Sequence, residues 1–206
     1  MTRIRAAILI FPEIEVLDFC GPFEVFSTVR LNESNRREEP SPFEVYLVAE
    51  TAEPVAASGG LKVIPDYTFT TAPQADILVV PGGWGTRREV ENPSLVEWIQ
   101  KQAAGARRVM SVCTGAFLLA QAGLLHGKRA TTHWRSLERM RETYPDVTVE
   151  GNRHWVDDGI LSSAGISAGI DLALVVVGQF LGEAIARATA QHMEYRYPES
   201  DTRVRS

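Results

Sequence analysis

Apolar positions fall in short, nearly continuous runs separated by longer amphipathic stretches. Ile4 to Phe11, Phe43 to Ala49, Ala75 to Val80 and Val109 to Val112 are the continuous runs. Uninterrupted apolar segments of this length suit strands buried on both faces of a parallel sheet. Between them the spacing predicts helices: one from Pro22 towards Leu31, then Pro93 to Ala104, Thr114 to Leu125 and Arg135 to Tyr144. Leu172 to Leu181 is nearly all apolar and reads as a buried helix, and Gly182 separates it from a last helix, Glu183 to Met193. Asn92 is placed to cap the helix at Pro93, and Gly105 to end it.

The joints carry turn chemistry. Asn32 to Pro42 is polar and holds two prolines, so it reads as a surface loop. Val55 to Tyr67, with Gly59-Gly60 inside it, suggests a small hairpin excursion. Val147 to Val149, Arg153 to Val156 and Ile160 to Ser163 read as short strands, the last two joined by Asp157-Asp158-Gly159. Strand and helix thus alternate, with one antiparallel excursion, which predicts a doubly wound, mostly parallel α/β sheet sandwich. The expected organisation is a single domain over residues 1–195, followed by a polar tail, 196–206, that lies loose from Pro198 on.

Composition changes this picture little. The chain has 206 residues, 45% hydrophobic and 23% charged, which is ordinary for a globular protein able to bury a sizeable core. The net charge is −5, and Arg36-Arg37 is followed at once by Glu38-Glu39, so no nucleic-acid footprint is expected. The apolar run near the start is short and ends at Pro12-Glu13, which argues a first strand rather than a signal peptide. No run reaches the length of a membrane span. Two cysteines, Cys20 and Cys113, imply no disulfide framework, and a cytoplasmic location is the expectation.

The candidate chemistry centres on Arg108 to Leu125, RVMSVCTGAFLLAQAGLL. Cys113 stands between a buried strand and a helix, with Gly115 in the helix's first turn. A nucleophile on such a turn is pushed out at the sheet's carboxyl edge. The helix N-terminus points unpaired N–H groups and partial positive charge at the sulfur, which favours the thiolate. The plainer alternative is a small core residue. Asp18, set among Leu17, Phe19 and Phe23, is read as lying just before the helix at Pro22. It is either an N-terminal capping carboxylate or a carboxyl group at the carboxyl end of the first strand, where ligands gather in open parallel sheets. Pro81-Gly82-Gly83-Trp84-Gly85 ends another strand, and its backbone N–H groups suit a developing oxyanion better than a phosphate. His126, His154 and His192 show no metal-ligand spacing, and no metal is expected.

These segments together resemble the ThiJ/PfpI superfamily, which is related to the class I glutamine amidotransferase fold. The carriers are AAILIFPEIEVLDFCGPFEVF, DILVVPGGWG, VMSVCTGAFLLAQAGLL, ATTHW and SSAGISAGIDLAL, and they reach from the first strand to about Met193. The resemblance implies a flavodoxin-like sandwich and no cofactor. It is nearest to the isonitrile hydratase branch, which pairs an Asp in a D-x-x-G-P-x-E-V-F setting with a Cys-Thr-Gly elbow, here Asp18 and Cys113-Thr114-Gly115. Protease-like members carry a His directly after the nucleophile, where this chain has Thr114.

On that resemblance, Cys113 is the nucleophile, Asp18 the proton carrier, and Thr114 a further catalytic residue. Gly82 and Gly83 supply the oxyanion loop. Trp84 and Trp134 either wall the substrate pocket or belong to the core. His133 lies where some relatives carry a His near the site, and either orients the thiol or a water or is an ordinary hydrogen-bonded core residue; Cys20 is structural. The implied reaction is cysteine-dependent hydration of an isonitrile to an N-substituted formamide. A glyoxalase-like action on α-oxoaldehydes and a non-catalytic sensor role are the alternatives. AraC-type regulators carry a similar domain fused to a helix-turn-helix region, and no such region is expected after Met193. The partners expected are a small-molecule substrate and a second copy in a homodimer, with no nucleic acid and no membrane.

Overall fold

The structure is a computed structural model that describes residues 2–202. The first apolar run forms β1 (Ile4–Leu9), and α1 (Val16–Thr28) returns the chain to β2 (Phe43–Ala49). A short antiparallel pair follows, β3 (Val55–Ala56) and β4 (Lys62–Val63), and then β5 (Tyr67–Thr68). Next come β6 (Ile77–Val80), the one-turn α2 (Thr86–Glu89), α3 (Pro93–Gly105), β7 (Arg108–Val112) and α4 (Gly115–Gln121). After β8 (Arg129–Ala130) the chain forms α5 (Leu137–Thr143), β9 (Thr148–Val149), β10 (Trp155–Asp157) and β11 (Leu161–Ser163). It ends with α6 (Ala168–Leu181) and α7 (Glu183–His192).

The main sheet has the order β10-β11-β7-β6-β1-β2-β5. All its pairs are parallel except β10 with β11. This is the mostly parallel α/β architecture that the apolar pattern predicts. The connection β1–α1–β2 moves one way along the sheet and β6–α3–β7 moves the other. Right-handed crossovers therefore put α1 and α3 on opposite faces. α1 packs against α6 and α7, and α3 against α4. The strand order reverses at β1 and β6, so the crevice at their carboxyl ends is the topological switch point where open sheets bind ligands.

The structure moves several expected boundaries, and one move matters for function. α1 starts at Val16, so Asp18 lies in its first turn rather than before it, and Pro22 is inside the helix. Proline's preference for a first turn misplaces the start. A tertiary hydrogen bond overrides it: Glu15 N–H donates to Gly82 O at 3.0 Å, and Asp18 N–H closes the first turn on Glu15 O at 3.2 Å. α4 stops at Gln121, short of Leu125, because Gly123 takes the left-handed backbone, φ 77°. β5 and β8 are each two residues long, too short to leave a pattern.

The tail does not lie loose over its described part. Arg153 pairs with Asp201 at 2.7 Å, and Arg187 Nη1 with Glu199 at 2.8 Å. His154 N–H donates to Asp201 O. Charge complementarity docks what composition alone reads as free. Residues 203–206 of that tail lie outside the described residues. Among the described residues no helix is long and apolar enough to cross a membrane.

Candidate active site

The site is built where β1, β6 and β7 end. β7 delivers Cys113, which has φ 57°, a left-handed conformation that a non-glycine residue adopts at a cost of about 1–3 kcal/mol. Its backbone is clamped from the neighbouring strand: Cys113 N–H donates to Ser163 O at 3.2 Å and Ala164 O at 2.7 Å. The Thr132 hydroxyl donates to Cys113 O at 2.7 Å. The turn closes tightly because position 115 has no side chain; a Cβ there would stand 2.0 Å from Val80 O. These bonds hold the elbow in its strained form and aim the sulfur at the crevice.

α1 delivers Asp18 to the same place, and the carboxyl group is fully buried, 0% exposed. Oδ2 accepts from Gly82 N–H at 3.0 Å, while Oδ1 has no hydrogen-bond partner among the described residues. Burial pushes the Asp18 carboxyl up to about 8, against the Gly82 N–H bond, with the Glu15 charge adding to the rise and the Cys113 side chain opposing it. Asp18 is thus a carboxylic acid at neutral pH, able to give a proton as well as take one.

Cys113 behaves differently from the thiolate expected at a helix N-terminus. It is 7% exposed, and burial, followed by the Asp18 charge, pushes the thiol above its ordinary value. The Thr114 backbone N–H and side chain pull the other way but do not prevail. Loss of water around the sulfur outweighs the helix end. The resting pair is a thiol beside a neutral acid.

Thr114 ties the second loop to the elbow. Its hydroxyl accepts from Gly83 N–H at 3.0 Å and lies 3.1 Å from Gly83 O. Thr86 Oγ1 stands 2.9 Å from Gly83 O and 3.2 Å from Thr114 Oγ1. The N–H groups of Gly82 and Gly83, expected to face an oxyanion, therefore serve Asp18 and Thr114 instead. The Pro81–Gly85 loop positions the acid and the elbow, and Thr114 spends its hydroxyl on that loop.

The remaining sequence candidates are Trp84, Trp134 and His133. Trp84 is 65% and Trp134 61% exposed, so neither belongs to the core. Arg87 stacks on Trp84 at 3.7 Å and Arg135 on Trp134 at 4.9 Å. His133 is half-buried, and its Nδ1 accepts Arg135 N–H at 3.3 Å, which puts the proton of a neutral ring on Nε2. Gly165 brings His133 and the thiol together. A Cβ on it would lie 2.4 Å from His133 Cδ2 and 3.1 Å from Cys113 Sγ.

Gly165, Thr86 and Thr132 are site components that sequence reasoning passed over. Gly165 left a signal within the segment SSAGISAGIDLAL and Thr132 within ATTHW, while Thr86 left none. Cys20 is half-buried, and burial raises its thiol as well. A cavity of about 650 Å³ lies apart from this site, over the ends of β1 and β2, with Glu50, Glu53 and Arg88 in its wall. Among the described residues no group of three His, Cys, Asp or Glu is placed to hold a metal ion.

Three comparisons bear on this arrangement. The family model described as DJ-1/PfpI matches residues 4–179. An isonitrile hydratase of Pseudomonas putida is 35% identical over 192 residues, covering 93% of this chain and 78% of that protein. The transcriptional regulator CdhR of Pseudomonas aeruginosa, of the helix-turn-helix type, is 30% identical over 178 residues; the match covers 86% of this chain but 51% of the regulator. Among solved structures, a ThiJ/PfpI family protein from Pseudomonas syringae superposes with a TM-score of 0.83 at 28% identity, over 97% of this chain and 78% of that one.

Proposed function

The chain belongs to the DJ-1/PfpI family, and on that premise we propose that it hydrates isonitriles to N-substituted formamides with Cys113 and Asp18 and no cofactor. One observation carries the reading. A fully buried carboxyl group, protonated at neutral pH and with Oδ1 unpartnered among the described residues, acts on the same thiol that the elbow presents. The similarity to an isonitrile hydratase supports it.

The terminal isonitrile carbon accepts both a proton and a nucleophile. Asp18 protonates that carbon. The Cys113 sulfur then bonds to it while the thiol proton passes to the Asp18 carboxylate. The product is a neutral thioimidate, S–CH=N–R, with Asp18 again protonated. In the second half Asp18 protonates the nitrogen and takes a proton from the attacking water, which leaves a tetrahedral S–CH(OH)–NH–R. As the C–S bond breaks, Asp18 gives its proton to the departing sulfur and takes the hydroxyl proton. The sulfur leaves with a proton, and the formamide R–NH–CHO departs. Overall one water adds to one isonitrile, and both residues return to their starting states. An acid whose pKa lies near 8 suits this exchange, since it must give and take a proton in each step.

Thr114 acts in this scheme mainly as a positioning residue. Trp84 and Trp134 give the substituent R an exposed aromatic rim, and His133 borders the sulfur across Gly165. The test is to offer purified protein a series of isonitriles, with methylglyoxal in a parallel arm, and follow formamide and lactate by NMR. Formamide formed by wild type and absent with Cys113→Ala supports the reading. Lactate without formamide would move it to the oxoaldehyde alternative.

A further inference from the structure

Beside the reactive centre, on the far side of Thr86, lies a second cavity of about 170 Å³. Arg87, Arg139, Thr86, Thr143, Tyr144 and Phe117 line it, and no acidic side chain does. Both guanidinium groups are held by stacking. Arg87 Cζ lies 3.7 Å from the centre of the Trp84 ring, and Arg139 Cζ 4.2 Å from that of Phe117. Neither makes an ion pair or a hydrogen bond with the described residues. Seven other arginines among the described residues form ion pairs, for example Arg36 with Glu33, Arg129 with Glu150 and Arg153 with Glu150 and Asp201. Burial and the nearby Arg87 charge both lower Arg139's proton affinity, so the two cations feel one another across the cavity.

Stacking occupies the face of a guanidinium and leaves its edge, with the N–H donors, available. Two such edges at one cavity, without a carboxylate between them, match an oxyanion able to accept two forks. We propose that Arg87 and Arg139 form a binding site for a small oxyanion, a phosphate or carboxylate group of a metabolite. A dianion fits best, because it offsets both charges. The cavity has room for phosphate or a short dicarboxylate and none for a large ligand. The site is joined to the reactive centre through Thr86, which lines the cavity and whose hydroxyl reaches Thr114 Oγ1 at 3.2 Å. Occupancy therefore bears on the loop that positions Asp18 and the elbow. This inference is independent of the reaction proposed above.

The experiment titrates the full chain with inorganic phosphate and, separately, succinate, at constant ionic strength held with chloride. Binding is read by calorimetry and by the shift in melting temperature. Wild type is expected to bind one of the two with a Kd of about 1 mM or tighter. Arg87→Gln and Arg139→Gln should each weaken it by about tenfold or more, while Arg5→Gln, a surface arginine elsewhere, leaves it unchanged. Which anion binds more tightly names the group. Arg87 is exposed, so Arg87→Gln keeps the test valid even if Arg139→Gln folds poorly. No binding, or equal binding in wild type and Arg87→Gln, would overturn the proposal. So would a fall in oligomeric mass in Arg87→Gln without anion binding, since that would assign the arginines to a second copy's carboxylates.

Discussion

Replacing Asp18 by asparagine removes a titration that opposes folding, and the size of the effect follows from the site. The carboxyl group moves from 3.8 to about 8 on folding. The folded protein therefore holds a proton that the unfolded chain releases between about pH 4 and pH 8, and stability falls as pH rises through that window. Each pKa unit is worth ~1.4 kcal/mol, so the displacement amounts to ~6 kcal/mol once pH exceeds the folded value. Below pH 4 both states are protonated and the cost vanishes. Asparagine has nearly the same shape, and its carbonyl oxygen still accepts from Gly82 N–H, but it does not ionise. Relative to wild type, Asp18→Asn should therefore gain about 4–6 kcal/mol of stability between about pH 4.5 and about pH 9. Urea denaturation across that range, with the slope m compared at each pH, measures it. Parallel stability curves for the two proteins would refute a buried, proton-holding Asp18.

Three further outcomes are expected. Asp18→Asn should also speed alkylation of Cys113 at about pH 8 by about threefold or more, because the Asp18 carboxyl raises the thiol; peptide mass spectrometry reads it, and an unchanged rate would separate the two groups. Gly115→Ala should cost about 3 kcal/mol, since its methyl would meet Val80 O at 2.0 Å and backbone cannot step aside; a thermal melt within a degree of wild type would show that the elbow relaxes. Light scattering should find a homodimer, near twice the 22.7 kDa chain mass, in keeping with the prevalence of two-fold pairs; a mass near one chain at micromolar concentration would contradict it.

Much of this molecule is legible from apolar pattern alone. Runs such as Ile4 to Phe11 and Val109 to Val112 mark central strands, because a strand covered on both faces has no polar side to show. The Cys-Thr-Gly elbow is legible for a related reason: an apolar strand stops, a cysteine follows, and a residue without a side chain stands two positions beyond the cysteine. Asp18 is harder. Pro22 suggests a helix start six residues late, and only the bond from Glu15 N–H to Gly82 O, 67 positions away in the chain, corrects it. The state of the thiol is not legible at all. A helix N-terminus lowers a thiol and burial raises it, and only the packed structure shows that Cys113 is 7% exposed. Likewise, glycine N–H groups look available in PGGWG until Asp18 and Thr114 are seen to take them. Arg87 and Arg139 lie 52 positions apart, and no spacing rule connects them.

The central claim is that Cys113 and Asp18 act together on the isonitrile carbon. Its most direct test is the rate of formamide formation, at matched concentration and pH 7, by wild type, Cys113→Ala and Asp18→Asn. Wild type should produce formamide and Cys113→Ala none. Asp18→Asn, folded and still alkylated at Cys113, should be slower by about 10²-fold or more, the scale of lost acid–base catalysis. Formamide formed by Asp18→Asn at the wild-type rate would contradict the account.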